Sequence, residues 1–300
     1  MNAPHPTSGL AAIPLATRAA RAALQWRLLL LWSACLLIPT LVLALPFWKT
    51  LSASFDHSVH APALARALDL FSVADLLANH GKNVLALNAA GIAAIVLTLL
   101  LSPLLSGMVI VAARAPAAPA AAPGFGPLLS GAFVEYGRMA RSLVWAVVPL
   151  GAALALGGGV LHLAGKYNRK AILESDADLV SYAALAVAAL LFMLAHATLD
   201  AGRATLAVER RRTSAVKAWW RGLRLLRKRP LATFGVYAAL SAGGLLLAAL
   251  LALARLNLPP VGAAGLCGAF LVTQAIALAL AWMRSARLFA LIDLVKAQRA

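Results

Sequence analysis

Six long apolar runs divide this chain, near residues 28–47, 84–113, 143–164, 179–199, 231–254 and 261–283. A helix needs about 20 apolar residues to cross a ~30 Å hydrocarbon core, and each run meets that length. None alternates apolar and polar positions as a barrel strand does. Backbone groups cannot go unpaired in lipid, so the runs are expected to be helices. The second run exceeds the crossing length and is expected to tilt or project, with Pro103 a candidate kink. Trp26, Trp32 and Trp48 lie near the ends of the first run, where indoles favour the interface. That run is too long for a signal-peptide core and reads as an uncleaved span. Pro259 and Pro260 fit a tight turn between the last two runs. The predicted fold class is all-α, a polytopic transmembrane helix bundle of six spans. A tail at 1–27, disordered to about Leu15, precedes a membrane domain at 28–283, and a tail at 284–300 follows it.

Composition supports a lipid solvent. Apolar residues make up 62% of the chain and charged residues 12%. Soluble domains carry about 25% charged residues, so a water-facing surface cannot be built from this chain. The formal charge of +17 invites a nucleic-acid reading. Most of the basic residues flank apolar runs, however, which is how topology is set and anionic headgroups are met. No nucleic-acid partner is expected. Twenty of the 27 Lys and Arg fall on one side of the six-span arrangement and seven on the other. Asp56, Asp69, Asp75, Glu174, Asp176 and Asp178 all lie on the poorer side. The positive-inside rule then places both termini in the cytoplasm. Cys35 and Cys267 sit inside apolar runs, which argues against a disulfide, and no Cys/His spacing fits a zinc site.

Between the fourth and fifth runs, residues 213–230 read as a basic amphipathic helix. Val216, Trp219, Trp220, Leu223 and Leu226 share one face, and Lys217, Arg221, Arg224 and Lys228 the other. Thr213 is the expected N-cap, and Pro230 breaks the helix before the fifth span. A helix of this kind lies in the plane of a membrane surface. The plainer reading is a topology determinant resting on headgroups. The sharper one is a lipid-sensing or partner-docking surface formed by Lys217, Trp219, Trp220, Arg221, Arg224 and Lys228. Just before it, His196, Asp200 and Arg203 share a helix face at the end of the fourth span, and Arg284, Arg287 and Asp293 form a like group after the sixth. A self-neutralising Asp200–Arg203 pair is the ordinary explanation, and a substrate or proton site the alternative. Asn88 and Gln274 are the polar residues expected to bridge helices, and Gly262, Gly265, Gly268 and Ala269 allow close helix approach. Outside, Ser72 and Asp75 resemble a capping box within 61–80.

Each of three helical hairpins returns through a helix that runs on past the bilayer, at 106–114, 200–209 and 285–293, a hint of internal repetition. No Gly-rich phosphate loop, paired-His metalloprotease motif or nucleophile elbow occurs, and no cofactor is expected. The stretch Asp200-Ala201-Gly202-Arg203, then Val208-Glu209-Arg210-Arg211, then Leu225-Leu226-Arg227-Lys228-Arg229-Pro230, resembles a group of uncharacterised bacterial six-span inner-membrane proteins. They carry an Asp…Arg…Glu-Arg-Arg stretch and a basic amphipathic helix leading into the fifth span. Gln274, Arg284 and Arg287 also resemble their last span. The resemblance covers the final third of the chain and implies a bacterial inner-membrane setting. It implies no activity. The leading expectation is a non-enzymatic membrane scaffold or accessory subunit, with anionic lipid and other membrane or cytoplasmic proteins as partners. A transporter or permease component for an apolar or lipid-like solute is the alternative. An intramembrane enzyme using His196 and Asp200 is a third reading.

Overall fold

The computed structural model describes residues 12–55, 84–115, 123–209, 214–258 and 262–298. These form α1 (Ala12–Ala22), α2 (Trp26–Phe55), α3 (Val84–Arg114), α4 (Phe125–Asn168), α5 (Glu174–Val208), α6 (Ala215–Lys228), α7 (Pro230–Leu256) and α8 (Gly262–Ala297). Among the described residues there is no strand. All but α1 and α6 are long and apolar enough to cross a membrane. Their mid-helix leucines lie open: Leu99, Leu154, Leu185 and Leu250 are each at least half exposed. Apolar surface on that scale has lipid as its solvent. Helices 2, 3 and 4 of this set continue through Pro39, Pro46, Pro103 and Pro149.

The helices outrun the membrane. At 1.5 Å per residue, the 44 residues of α4 reach about 66 Å, twice a ~30 Å core. Three sequence expectations change accordingly. The loop expected before residue 143 is helical from Phe125, and it buries a stripe of Leu128, Ala132, Glu135, Met139 and Ser142 at helical spacing. The tail at 284–300, expected to be helical only over 285–293, is the end of α8, helical to Ala297 and almost wholly buried over 285–295. The N-terminal tail holds α1 from Ala12, with Ala16, Ala19 and Ala23 buried. The physical reason is common to all three. Charged residues recur every few positions in these segments, yet each keeps apolar residues buried: Ala16, Ala19 and Ala23 in the first, Leu128, Ala132 and Met139 in the second, Leu288, Leu291, Ile292 and Val295 in the third. The outer segment 61–80 with Ser72 and Asp75, the turn at Pro259 and Pro260, and Thr213 lie outside the described residues.

The chain divides into two compact units, one of residues 1–22, 133–240 and 286–300, the other of 23–132 and 241–285. In the second unit α2 packs against α3. Ser33 donates to Gln274 Oε1 at 3.0 Å, so Gln274 does bridge two helices. Backbones also meet closely there: a Cβ on Gly107 would lie 2.9 Å from the Ala132 carbonyl oxygen. In the first unit α5 packs against α6. The three expected hairpin exits share one property. Unbroken buried stretches run over 103–110, 197–207 and 285–292.

Candidate functional site

The basic helix α6 begins where Ser214, in extended conformation, accepts a hydrogen bond from the Lys217 N–H at 3.4 Å. That is the N-cap role expected of Thr213 one residue earlier. The helix closes at Arg229, and Pro230 opens α7. Its docked face differs from the one that hydropathy marks. Ala218, Gly222, Leu225 and Leu226 are buried, while Val216 and Trp220 are half exposed. The small residues explain why. A Cβ on Gly222 would fall 2.5 Å from the Gly202 nitrogen and 2.7 Å from the Ala201 carbonyl carbon. One on Gly202 would fall 3.0 Å from Trp219 Cα. The two helices touch backbone to backbone, which only glycine permits at that crossing.

Polar contacts fix the crossing. Trp219 Nε1 donates to Thr198 Oγ1 at 3.0 Å. The Thr205 hydroxyl lies 3.1 Å from the Ala218 carbonyl oxygen and 2.8 Å from that of Gly202, and donates to one or the other. Arg221 pairs with Glu209 just past the end of α5. Of the six residues expected to form a surface set, the structure therefore turns Trp219 and Arg221 toward the protein. Lys217, Trp220, Arg224 and Lys228 remain outward, joined by Arg227, which belongs to neither of the two faces expected from the sequence. Trp219 also meets Trp145 edge-on, with ring centroids 5.7 Å apart.

The end of α5 is held from a second side. Arg138 of α4 donates to the carbonyl oxygens of Leu206 and Glu209 at 2.7 and 2.6 Å, and pairs with Glu135 at 2.6 Å. A cation placed on terminal carbonyls satisfies acceptors that the helix cannot and complements its dipole. Sequence reasoning counted Arg138 only as a topology charge and passed over Glu135. Their i, i+3 spacing within a charged helical stretch was the available signal.

Several contacts engage the residues of the boundary cluster. Asp200 and Arg203 meet at 2.7 Å, both side chains buried, one turn apart. His196 stacks on Phe192 at 5.2 Å between ring centroids. Arg287 donates to the Tyr237 hydroxyl at 3.1 Å and lies over the same ring. Arg284 lies over the Trp32 indole, 5.9 Å from its centroid. Among the described residues no three His, Cys, Asp or Glu side chains converge as a metal site needs.

Six apolar helices of this length make the chain a multi-pass membrane protein. Compared with protein-family models, with curated proteins and with solved structures, it matches none.

Proposed function

We propose that this chain is a non-enzymatic scaffold or accessory subunit of a bacterial inner membrane, with both termini in the cytoplasm. Its working surface is α6, resting on the anionic inner leaflet and open to a partner there. The observation that carries the reading is the way α6 is held. A backbone-to-backbone crossing with α5 fixes it, and Lys217, Trp220, Arg224, Arg227 and Lys228 point away from that crossing. A helix already docked loses no backbone freedom on binding, so only side-chain ordering opposes the attraction. Each adds roughly 1 kcal/mol near anionic lipid. The buried ionisable residues support the non-enzymatic part, because they are engaged in structural contacts: Asp200 with Arg203, Glu135 with Arg138, Arg287 with Tyr237. The resemblance at 200–230 adds the bacterial setting.

A photo-crosslinking residue at Val216, which is half exposed on the same flank, tests this in native membranes. Irradiation is expected to yield lipid adducts or one discrete protein adduct. Neutralising Lys217, Arg224, Arg227 and Lys228 together should remove them. Quenching by water alone, or adducts indifferent to the four charges, would refute the reading.

A further inference from the structure

The outward flank of α6 is shaped as well as charged. Two clefts open beside its last two turns. One, of about 420 Å³, is lined by Trp220, Leu223, Arg224, Arg227 and Lys228. The other, of about 180 Å³, includes Thr205, Arg221, Arg224, Leu225 and Lys228, with Val295 from the end of α8. Arg224 and Lys228 line both, and no carboxylate lines either. Arg221 is already engaged by Glu209. Among the described residues the side chains of Arg224, Arg227 and Lys228 form no hydrogen bond or ion pair. Two residues past Lys228, Pro230 starts α7, and Leu231 stands 78% exposed on that spanning helix.

We propose that these clefts form one site for a phospholipid bearing two phosphate groups, one phosphate in each cleft and Arg224 and Lys228 between them. The inference rests on α6 facing an anionic leaflet. Three unpaired cations at i, i+3 and i+4 lie within one helical turn, so their charges reinforce each other at a short range. A headgroup with one phosphate occupies one cleft and leaves the other empty. A two-phosphate headgroup occupies both, meeting Arg224, Arg227 and Lys228 in the larger and Arg224 and Lys228 again in the smaller. Arginine offers phosphate a planar fork of donors, and two of the three are arginines. Trp220, half exposed beside the cations, is the side chain expected at headgroup depth, and Leu231 gives acyl chains an apolar wall. These two features point to an amphiphile rather than a soluble polyphosphate.

Native mass spectrometry of the full chain in mild detergent tests the site with three probes. They are cardiolipin, phosphatidylglycerol at twice the molar concentration to match charge, and inorganic pyrophosphate. Cardiolipin is expected to bind about tenfold more tightly than phosphatidylglycerol. Arg224→Gln with Lys228→Gln is expected to weaken it by roughly thirtyfold and abolish the preference. Both side chains are exposed and unpaired, so this variant should melt as the parent does. Lys166→Gln, which removes a charge elsewhere, should keep the preference. Equal binding of the two lipids at matched charge overturns the site while leaving α6 a general anionic-surface helix. Pyrophosphate binding as tightly as cardiolipin also overturns it, in favour of a soluble ligand. No binding of either lipid would sink both this inference and the reading it rests on.

Discussion

Gly222→Ala is the sharpest probe of the crossing that positions the basic helix. The new methyl would sit 2.5 Å from the Gly202 nitrogen, 2.7 Å from the Ala201 carbonyl carbon and 3.0 Å from the Ala201 Cβ. Two of those atoms are backbone inside a helix and cannot swing aside. Ordinary contact lies near 3.5–4.0 Å, so α6 and α5 must part by roughly 1 Å. Forcing an extra methyl into a packed site costs about 1–3 kcal/mol. Parting the helices also stretches the Trp219–Thr198 hydrogen bond, worth about 0.5–1.5 kcal/mol, and draws the Ala218 carbonyl away from the Thr205 hydroxyl. The better helix propensity of Ala returns at most ~1 kcal/mol. The balance is a loss of about 2–4 kcal/mol, concentrated at α6.

Gly235→Ala is the matched control, because a Cβ there meets nothing within 4 Å. Thermal unfolding of the detergent-solubilised chain should show Gly222→Ala clearly destabilised and Gly235→Ala equal to the parent or slightly stabilised. Amide hydrogen exchange over 215–228 should rise in the first variant alone. If Gly222→Ala melts with the parent and protects α6 equally, the backbone contact does not hold the helix. The rigid presentation of its cations then loses its basis.

Asp200→Asn should lower the yield of monodisperse protein, since removing one partner of a buried pair costs about 3–5 kcal/mol; adding Arg203→Gln should recover part of it. Single variants that purify as well as the parent would instead make that cluster a candidate for chemistry. Arg138→Gln should destabilise the end of α5 by roughly 3 kcal/mol, and Arg138→Lys should recover only part, because one ammonium cannot reach two carbonyls and a carboxylate with the same fork. Unchanged melting in both would refute the capping role. A periplasm-dependent phosphatase should be inactive when fused at Ala300 and active when fused after Asp176; the opposite pattern would invert the proposed topology.

The six spans are legible in the sequence because lipid demands long unbroken apolar runs, which few other structures need. The docked face of α6 is not. Trp219 and Trp220 dominate any hydropathy reading of 215–228, yet the helix docks through Ala218, Gly222 and Leu225. Small residues carry little hydrophobic signal, and their value lies in the approach distance they allow, which depends on Ala201 and Gly202 opposite. The Asp200–Arg203 contact is legible from spacing alone, because one helical turn separates the two. The Glu135–Arg138 pair is legible in the same way, but the capping of α5 by Arg138 is not, since those acceptors are main-chain oxygens 68 and 71 residues away.

The hint of repetition has a physical form. In the first hairpin, the buried stretch of α3 meets the next segment where Gly107 faces Ala132, and Gly131 lies against Val111. In the second, the buried stretch of α5 meets α6 where Gly202 faces Trp219 and Gly222. Each time a returning helix runs on beyond its span, and the charged segment that follows covers it through a glycine-sized gap. Each covering segment then leads into the next span, as 125–142 continues within α4 and α6 is followed at once by α7. The third buried stretch, 285–292, lies almost wholly in the unit that also contains α1, the short charged helix before the first span. Sequence identity between these segments is slight because the device needs only small residues at the crossing and charges on the outer face. Many sequences satisfy that requirement, so the packing recurs where the letters do not.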